Sequence, residues 1–510
     1  MLLTFAYVSD IIAIIARRAG CSEKQQPDKA QTEMSVPCPA FLQPDLRRLS
    51  QTRTACETRI RKRGITVDFL NGKIKSMYFK YLAAAFASAM ITSVYSIVDT
   101  AMVGQYHGPE GTAALAVVAP VWNIIYSLGL LKGIGGSVIF SAKRGGSENG
   151  CENQYFTAAV TGSVVLSLIS WVGVLAFERP VLSFFGADES LLALAHEYMR
   201  PIKRVFPLFL FNQMLAAFLR NDKNPGLATL GVLSGGAFNV CGDYFFVFSC
   251  NMGIYGAGLA TAIGSAISFA VMLTHFASRK NTLRLIRPKR LTVKLREISV
   301  MGFSTFFIDV AMGILTVLFN RQIMEYLGAD ALAVYGPVIQ VSTFVQCCAY
   351  SVGQAAQPII STNCGAKNGE RIKEALRLAL ITTAFFGIFW TALSMTCPNL
   401  YIRIFMNPTE KILSIAPPII RTYALSFLLL PFNIFSAYYF QAIMKPKAAF
   451  VVSVARGLVI SGILILILPA AAGADSLWLA MPITELTVMF CAAALIKKYT
   501  ASLPDADNAL

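Results

Sequence analysis

Long apolar runs separated by short polar stretches dominate this chain. The run YLAAAFASAMITSVYSIV at 81–98 carries no charge, and similar runs recur toward the C-terminus. A helix of about 20 such residues spans the roughly 30 Å core of a bilayer. The apolar positions are contiguous rather than alternating, which predicts helices and not the strands of a transmembrane barrel. Twelve spans are predicted, at 81–106, 112–138, 155–177, 190–219, 226–248, 253–276, 299–326, 331–359, 373–396, 411–444, 447–469 and 474–496. Short connections such as Asn251-Met252-Gly253 and Lys445-Pro446 predict antiparallel hairpins. Pro120, Pro207, Pro337 and Pro431 fall within spans and are predicted bend points.

Composition agrees with that pattern. Hydrophobic residues make up 55% of the chain and charged residues 14%, where a soluble domain carries about 25% charge. The net charge of +16 resides in Lys and Arg at span ends, with no aromatic-studded basic domain, so a nucleic-acid partner is not expected. Lys143, Arg144, Arg220, Lys223, the eight basic residues from Arg279 to Arg296, Lys367, Arg371, Lys373, Lys445, Lys447, Lys497 and Lys498 share one side; Arg179, Arg321, Arg403 and Lys411 share the other. This bias predicts a multi-pass protein of the cell (inner) membrane, with both ends of its transmembrane region cytoplasmic. Residues 1–66 differ: the apolar start precedes Arg17-Arg18, the reverse of a signal peptide, and 22–64 is polar and aperiodic. A disordered extension is expected there, arising from a start codon placed upstream of a true start at Val67.

The chain repeats itself. ALAVVAP at 114–120 returns as ALAVYGP at 331–337. Phe211-Asn212 followed by Pro225 returns as Phe432-Asn433 followed by Pro446, and Arg200 and Arg421 fit the same register. Six spans per copy is an even number, so both copies have one orientation and an axis along the membrane normal relates them, with a central site between. The expected domains are an N-lobe at 67–276, a basic cytoplasmic linker at 277–298, a C-lobe at 299–498 and a tail at 499–510.

Polar side chains inside spans carry the candidate chemistry. A carboxylate at the centre of a membrane helix costs roughly 2.5–3.5 kcal/mol on insertion scales. Asp99 follows the uncharged run in span one, Asn239 and Asp243 share a face of span five, and Thr261 lies in span six. Asp99, Asp243 and Thr261 are each nine residues from an outer turn, about 13 Å along a helix. Two carboxylates with an amide and a hydroxyl suit Na⁺ or a proton; if the ion is Na⁺, these four residues are its ligands. A polar cluster that only fixes helix packing is the alternative. Asp309 in span seven, Gln357 in span eight and Glu485 in span twelve are further candidates, for cationic substrate or a second ion, against local packing roles. Gln346 and Gln354 join Gln357 on span eight, lining a wet cavity or bonding between helices. Lys132 is expected to snorkel or to neutralise an acid.

Several of these segments resemble the multidrug and toxic compound extrusion (MATE) family: the SIVDT first span, RNDKNP after span four, GAFNVCGD, GAGLAT, and VYGPVIQVSTFVQCCAYSVGQAAQPIIS in span eight. The resemblance runs from about 67 to 498. It implies an all-α membrane protein of two six-helix bundles around a V-shaped cavity, working as a secondary antiporter. Such a protein exports organic cations against inward Na⁺ or H⁺ by alternating access, without a cofactor or catalytic residues. Asp99 matches the family's first-span acid, and Asn239, Asp243 and Thr261 match its N-lobe cation site. Asp309 stands where members commonly carry Glu. The expected partners are a cationic amphiphilic small molecule and membrane lipids, the chain acting as a monomer. The rival readings are a lipid-linked oligosaccharide flippase of the same superfamily and, from another class, a membrane-embedded transferase, for which no DDxxD-like or His-rich cluster appears.

Overall fold

The structure, a computed structural model, describes residues 68–146, 151–405 and 409–503. The readings made for residues 1–66 and for most of the tail lie outside them. Among the described residues, twelve helices are long and apolar enough to cross a membrane. They are α1 (Ile74–Gly108), α2 (Glu110–Gly145), α3 (Glu152–Phe184), α4 (Glu189–Asn221), α5 (Pro225–Ser249), α6 (Gly253–Ala277), α7 (Leu291–Tyr326), α8 (Ala329–Gly365), α9 (Gly369–Thr396), α10 (Glu410–Ala442), α11 (Pro446–Ala472) and α12 (Ala474–Ala501). All twelve predicted spans are present, each in its predicted place. The helices run longer than the apolar runs, because polar residues continue a helix beyond the hydrocarbon. α7 thus takes in residues 291–298 of the stretch read as linker.

The sequence repeat is a structural repeat down to single turns. Pro225 and Pro446 both open helices at the first turn, where a missing N–H is no loss. Lys223 and Met444 occupy the left-handed region, at φ 62° and 61°. The Asn224 amide donates to the Leu219 carbonyl at 2.9 Å, and the Lys445 amide to Phe440 at 2.8 Å. Two non-glycine residues held left-handed at matching places mark one turn used twice, since that conformation is sterically disfavoured.

The helices depart from regular geometry elsewhere than most of the prolines suggested. Pro207 and Pro337 lie inside continuous helix. Pro431 alone of the four sits at a break, directly after the 3₁₀ turn Leu425–Leu428. Two π-helical turns appear instead, at Phe245–Ser249 and Ala455–Val459. Such turns widen a helix locally and gather near functional sites; the first begins two residues after Asp243.

At the face that carries the linker, the two halves meet backbone to backbone. A Cβ on Gly145 of α2 would lie 1.9 Å from the Thr362 carbonyl of α8, and one on Gly365 would lie 1.8 Å from the Ala142 carbonyl. Only glycine permits this approach. The linker itself is fastened to α3. Asn153, Gln154 and Thr157 bond the backbone of Thr282, Arg284, Ile286 and Lys289 at 2.9–3.2 Å. Arg290 then turns left-handed, at φ 54°, into α7.

Candidate functional site

The N-lobe cluster is assembled by close helix packing. A Cβ at Gly258 of α6 would fall 2.1 Å from the Tyr198 carbonyl of α4, so these helices touch one turn from Thr261. Gly235 and Gly264 bring α5 and α6 together in the same way. At the opposite end from the linker, the Tyr106 hydroxyl donates to Asn251 at 2.5 Å and the Ile254 amide donates to His107 Nε2 at 3.1 Å. These bonds tie the end of α1, which carries Asp99, to the α5–α6 turn.

Asp99, Asn239 and Asp243 are all buried, Asp243 completely, while Thr261 is partly exposed. Asn239 Nδ2 donates to Thr261 Oγ1 at 3.0 Å and lies 3.5 Å from Asp243 Oδ1. The Tyr198 hydroxyl donates to Asp99 Oδ2 at 2.9 Å and also faces Thr261. Asp99 lies within Coulombic reach of Asp243. The four residues expected to meet are therefore one cluster, and Tyr198 is its unforeseen fifth member. Three of its buried oxygens have no donor: Asp99 Oδ1, Asp243 Oδ2 and Asn239 Oδ1. A buried acceptor without a donor costs roughly 1–3 kcal/mol, more when charged. Oxygens of this kind, two on like-charged carboxylates and one on an amide, form a donor set that suits Na⁺ or a proton.

The C-lobe candidates do not form one site. Tyr350 donates to Asp309 Oδ1 at 3.2 Å, and Asp309 is only half-buried. Gln357 pairs with Asn221 of α4 through both amide groups, at 3.1 and 3.3 Å, and Ser141 of α2 also donates to Asn221 at 2.6 Å. Gln357 thus bonds between helices, across the two halves. Glu485 is fully buried and fully occupied: Arg456 of α11 donates to Oε1 at 2.8 Å and Asn433 of α10 to Oε2 at 2.6 Å. Lys132 does not reach outward, and among the described residues it meets no acid. It is buried and donates to Ser299 of α7 at 2.6 Å.

A further buried acid lies outside the spans. Asp222, in the α4–α5 turn, accepts from Arg144 at 2.9 Å, from His275 at 2.7 Å and from the Thr282 amide at 2.9 Å. Burial disfavours its ionisation, but the His275 and Thr282 hydrogen bonds and the Arg144 charge outweigh it. Its pKa falls below the ordinary carboxylate value.

Known proteins agree with this architecture. The profile of one family, MatE, matches the chain twice, over residues 84–245 and 303–467. The two matches cover more than half the chain and fall on the two copies of the repeat. The multidrug export protein MepA of Staphylococcus haemolyticus (strain JCSC1435) is 22% identical over 378 residues, 74% of this chain and 83% of MepA. MepA of Staphylococcus aureus (strain NCTC 8325 / PS 47) is 21% identical over 379 residues, with the same coverage. Among solved structures, an outward-facing multidrug resistance MATE transporter of the MOP superfamily superposes with a TM-score of 0.78 at 19% identity, over 86% of this chain and 99% of that one. A MOP superfamily transporter from Pyrococcus furiosus Vc1 (DSM3638), described as having a binding pocket of reversed polarity, gives 0.80 at 18% identity with the same coverage. The fold is thus the two-bundle, V-shaped transporter fold.

Proposed function

The chain belongs to the MatE family, and from that premise we propose that it exports small cationic amphiphiles in exchange for inward Na⁺ or H⁺. It is a multi-pass membrane transporter of the multidrug-efflux class and not an enzyme. The exchange reading rests on one observation: three donor-less oxygens on Asp99, Asn239 and Asp243, gathered with Thr261 in a single buried cluster. A cation arriving from outside satisfies those oxygens and removes the repulsion between the two acids. Its binding favours whichever packing of α1 against α5 and α6 closes around it. Coupling follows only because the ion's affinity differs between the two packings.

Cargo enters between the halves, where Asp309 offers a half-buried carboxylate to a cationic group. Gln357 and Glu485 support this path indirectly, the first by joining the halves near the linker face and the second by fixing α10 to α11 and α12. The exporter acts as a monomer in the cell membrane, surrounded by lipid, with the linker on the cytoplasmic side.

The test uses purified protein in vesicles loaded with an organic-cation dye, under an imposed Na⁺ gradient and separately an imposed pH gradient. One gradient drives wild-type export. Asp99→Asn abolishes gradient-driven export while the protein remains monodisperse and folded. Undiminished gradient-driven export by that variant refutes the assignment.

A further inference from the structure

Phe69 to Gly72 lead into α1, and the exchange cycle above makes no use of them. Their backbone is held by the opposite half of the molecule. Arg371, in the first turn of α9, donates through Nη2 to the Phe69 carbonyl at 3.1 Å and to the Gly72 carbonyl at 2.6 Å. Asn363 of α8 donates to the same Phe69 carbonyl at 3.1 Å. Phe69 is buried and packs edge-on against Tyr81 of α1, with 5.6 Å between ring centroids. Hydrogen bonds from a charged donor are stronger than neutral ones. Among the described residues no carboxylate competes for this guanidinium, so its hydrogen bonds go to the backbone before α1.

This clasp sits where the halves meet. Asn363 follows Thr362, whose carbonyl faces Gly145 of α2 at the linker face. Further along α1, contacts with both halves alternate. Phe86 stacks on Phe386 of α9 at 6.0 Å, and Ser88 donates to Thr229 of α5 at 3.1 Å. Ser93 meets Cys347 of α8 at 3.2 Å. Beyond Ser93 the helix turns to the first half. Tyr95 bonds Tyr126 of α2, Asp99 accepts from Tyr198 of α4, and Tyr106 and His107 bond the α5–α6 turn. One helix is thus fastened to the second half at its start and to the first half at its end. Asp99 lies between the fastenings, roughly 38 Å along the helix from Ile74.

We infer that Arg371 is a positioning residue of the exchange cycle: by holding the lead-in of α1, it makes any parting of the halves at the linker face pull on the helix that carries Asp99. Coupling between distant sites needs a physical element whose arrangement both sites bias, and α1 meets that description. An ion at Asp99 changes the packing of α1 on α5 and α6, and the clasp passes that change to the second half. Without the clasp the ion still binds and the halves still move, but neither event drives the other. The inference rests on the exchange reading given above and extends it to a contact outside the ion site.

The test separates coupling from binding and from movement. Purified protein in liposomes transports rhodamine 6G under the ion gradient that drives wild type, and separately down the dye's own gradient. Arg371→Met keeps an apolar stem and removes the donors. It is expected to lower ion-driven accumulation at least fivefold and to leave downhill movement within about twofold. The ion-induced rise in melting temperature, referenced to Asp99→Asn, should stay at the wild-type value because the ion site is untouched. Arg371→Lys can still donate to both carbonyls and should restore accumulation to within about twofold. Asn363→Ala, which leaves Arg371 in place, should give a smaller loss of the same kind and serves if Arg371→Met does not fold. Wild-type accumulation by Arg371→Met overturns the inference. Equal loss of accumulation, downhill movement and melting shift also overturns it, since that pattern marks a purely structural arginine. A Lys variant as uncoupled as the Met variant does the same. Wild-type protein that ignores both ion gradients removes the exchange reading and the inference with it, whereas a driven wild type with an indifferent Arg371 removes the inference alone.

Discussion

Asp243 and Glu485 are both completely buried inside the helical bundle, one in each half, and their surroundings differ in kind. Glu485 has a cation on one oxygen and an amide donor on the other. Asp243 has a weak amide contact on one oxygen and nothing on the other, with Asp99 within reach. The repeat sharpens the contrast. Asn212 bonds both the backbone and the hydroxyl of Ser265, as Asn433 bonds both the backbone and the carboxylate of Glu485. The clamp between the fourth and sixth helices of each half is one device. In the first half it is neutral; in the second it carries an ion pair. A fully buried acid with a donor-less oxygen is thereby set apart from one whose oxygens are both paired.

The comparison breaks if Glu485 behaves as Asp243 should. Replacing Glu485 by Gln strands the Arg456 charge, and breaking a buried pair in this way costs about 3–5 kcal/mol. The detergent-solubilised variant is expected to melt well below wild type, while any folded fraction keeps its ion coupling. A Glu485→Gln protein of normal stability but without coupling would reverse the roles of the two sites.

Asp222 sharpens the comparison by pH. It is a third buried acid and, like Glu485, a satisfied one. Its folded pKa is depressed, so the stability it contributes is fully present above its ordinary value of about 4 and is lost as pH falls through the lower folded value. Charge-assisted hydrogen bonds of this kind contribute about 1.5–3 kcal/mol. Asp222→Asn should therefore melt below wild type by a constant margin from pH 8 to 5. The margin should close at more acid pH. A margin that persists unchanged at pH 3 would show that the carboxylate's charge is irrelevant there.

The smallest effect belongs to Tyr198→Phe. It removes one donor from Asp99, a change of about 1 kcal/mol, and should shift the ion concentration for half-maximal export several-fold with coupling retained. An unchanged half-maximal concentration would place Tyr198 outside the ion site.

Much of this was legible in the sequence, for a physical reason. A span must be apolar throughout its passage, so twelve runs announced twelve helices, and an acid within such a run stood out against its neighbours. Asp99, Asp243 and Thr261 were found because helical rise alone puts them at one depth, and Asn239 because it shares a helix face with Asp243. Tyr198 was missed because an aromatic residue in an apolar helix looks the same whether its hydroxyl is used or idle. Arg456 was missed because the search for ligands followed acids and passed over their partners. Pro207 and Pro337 do not break their helices, whereas the π-helical turns have no residue signature.

The fastening of residues 282–289 to α3 has a mechanical consequence. The strap travels with the first bundle, leaving little free chain before α7 begins at Leu291. The bundles are not two bodies on a slack cord. The swivel nearest their covalent joint is Arg290, which restricts how far the rear of the molecule can part and favours pivoting over wholesale separation.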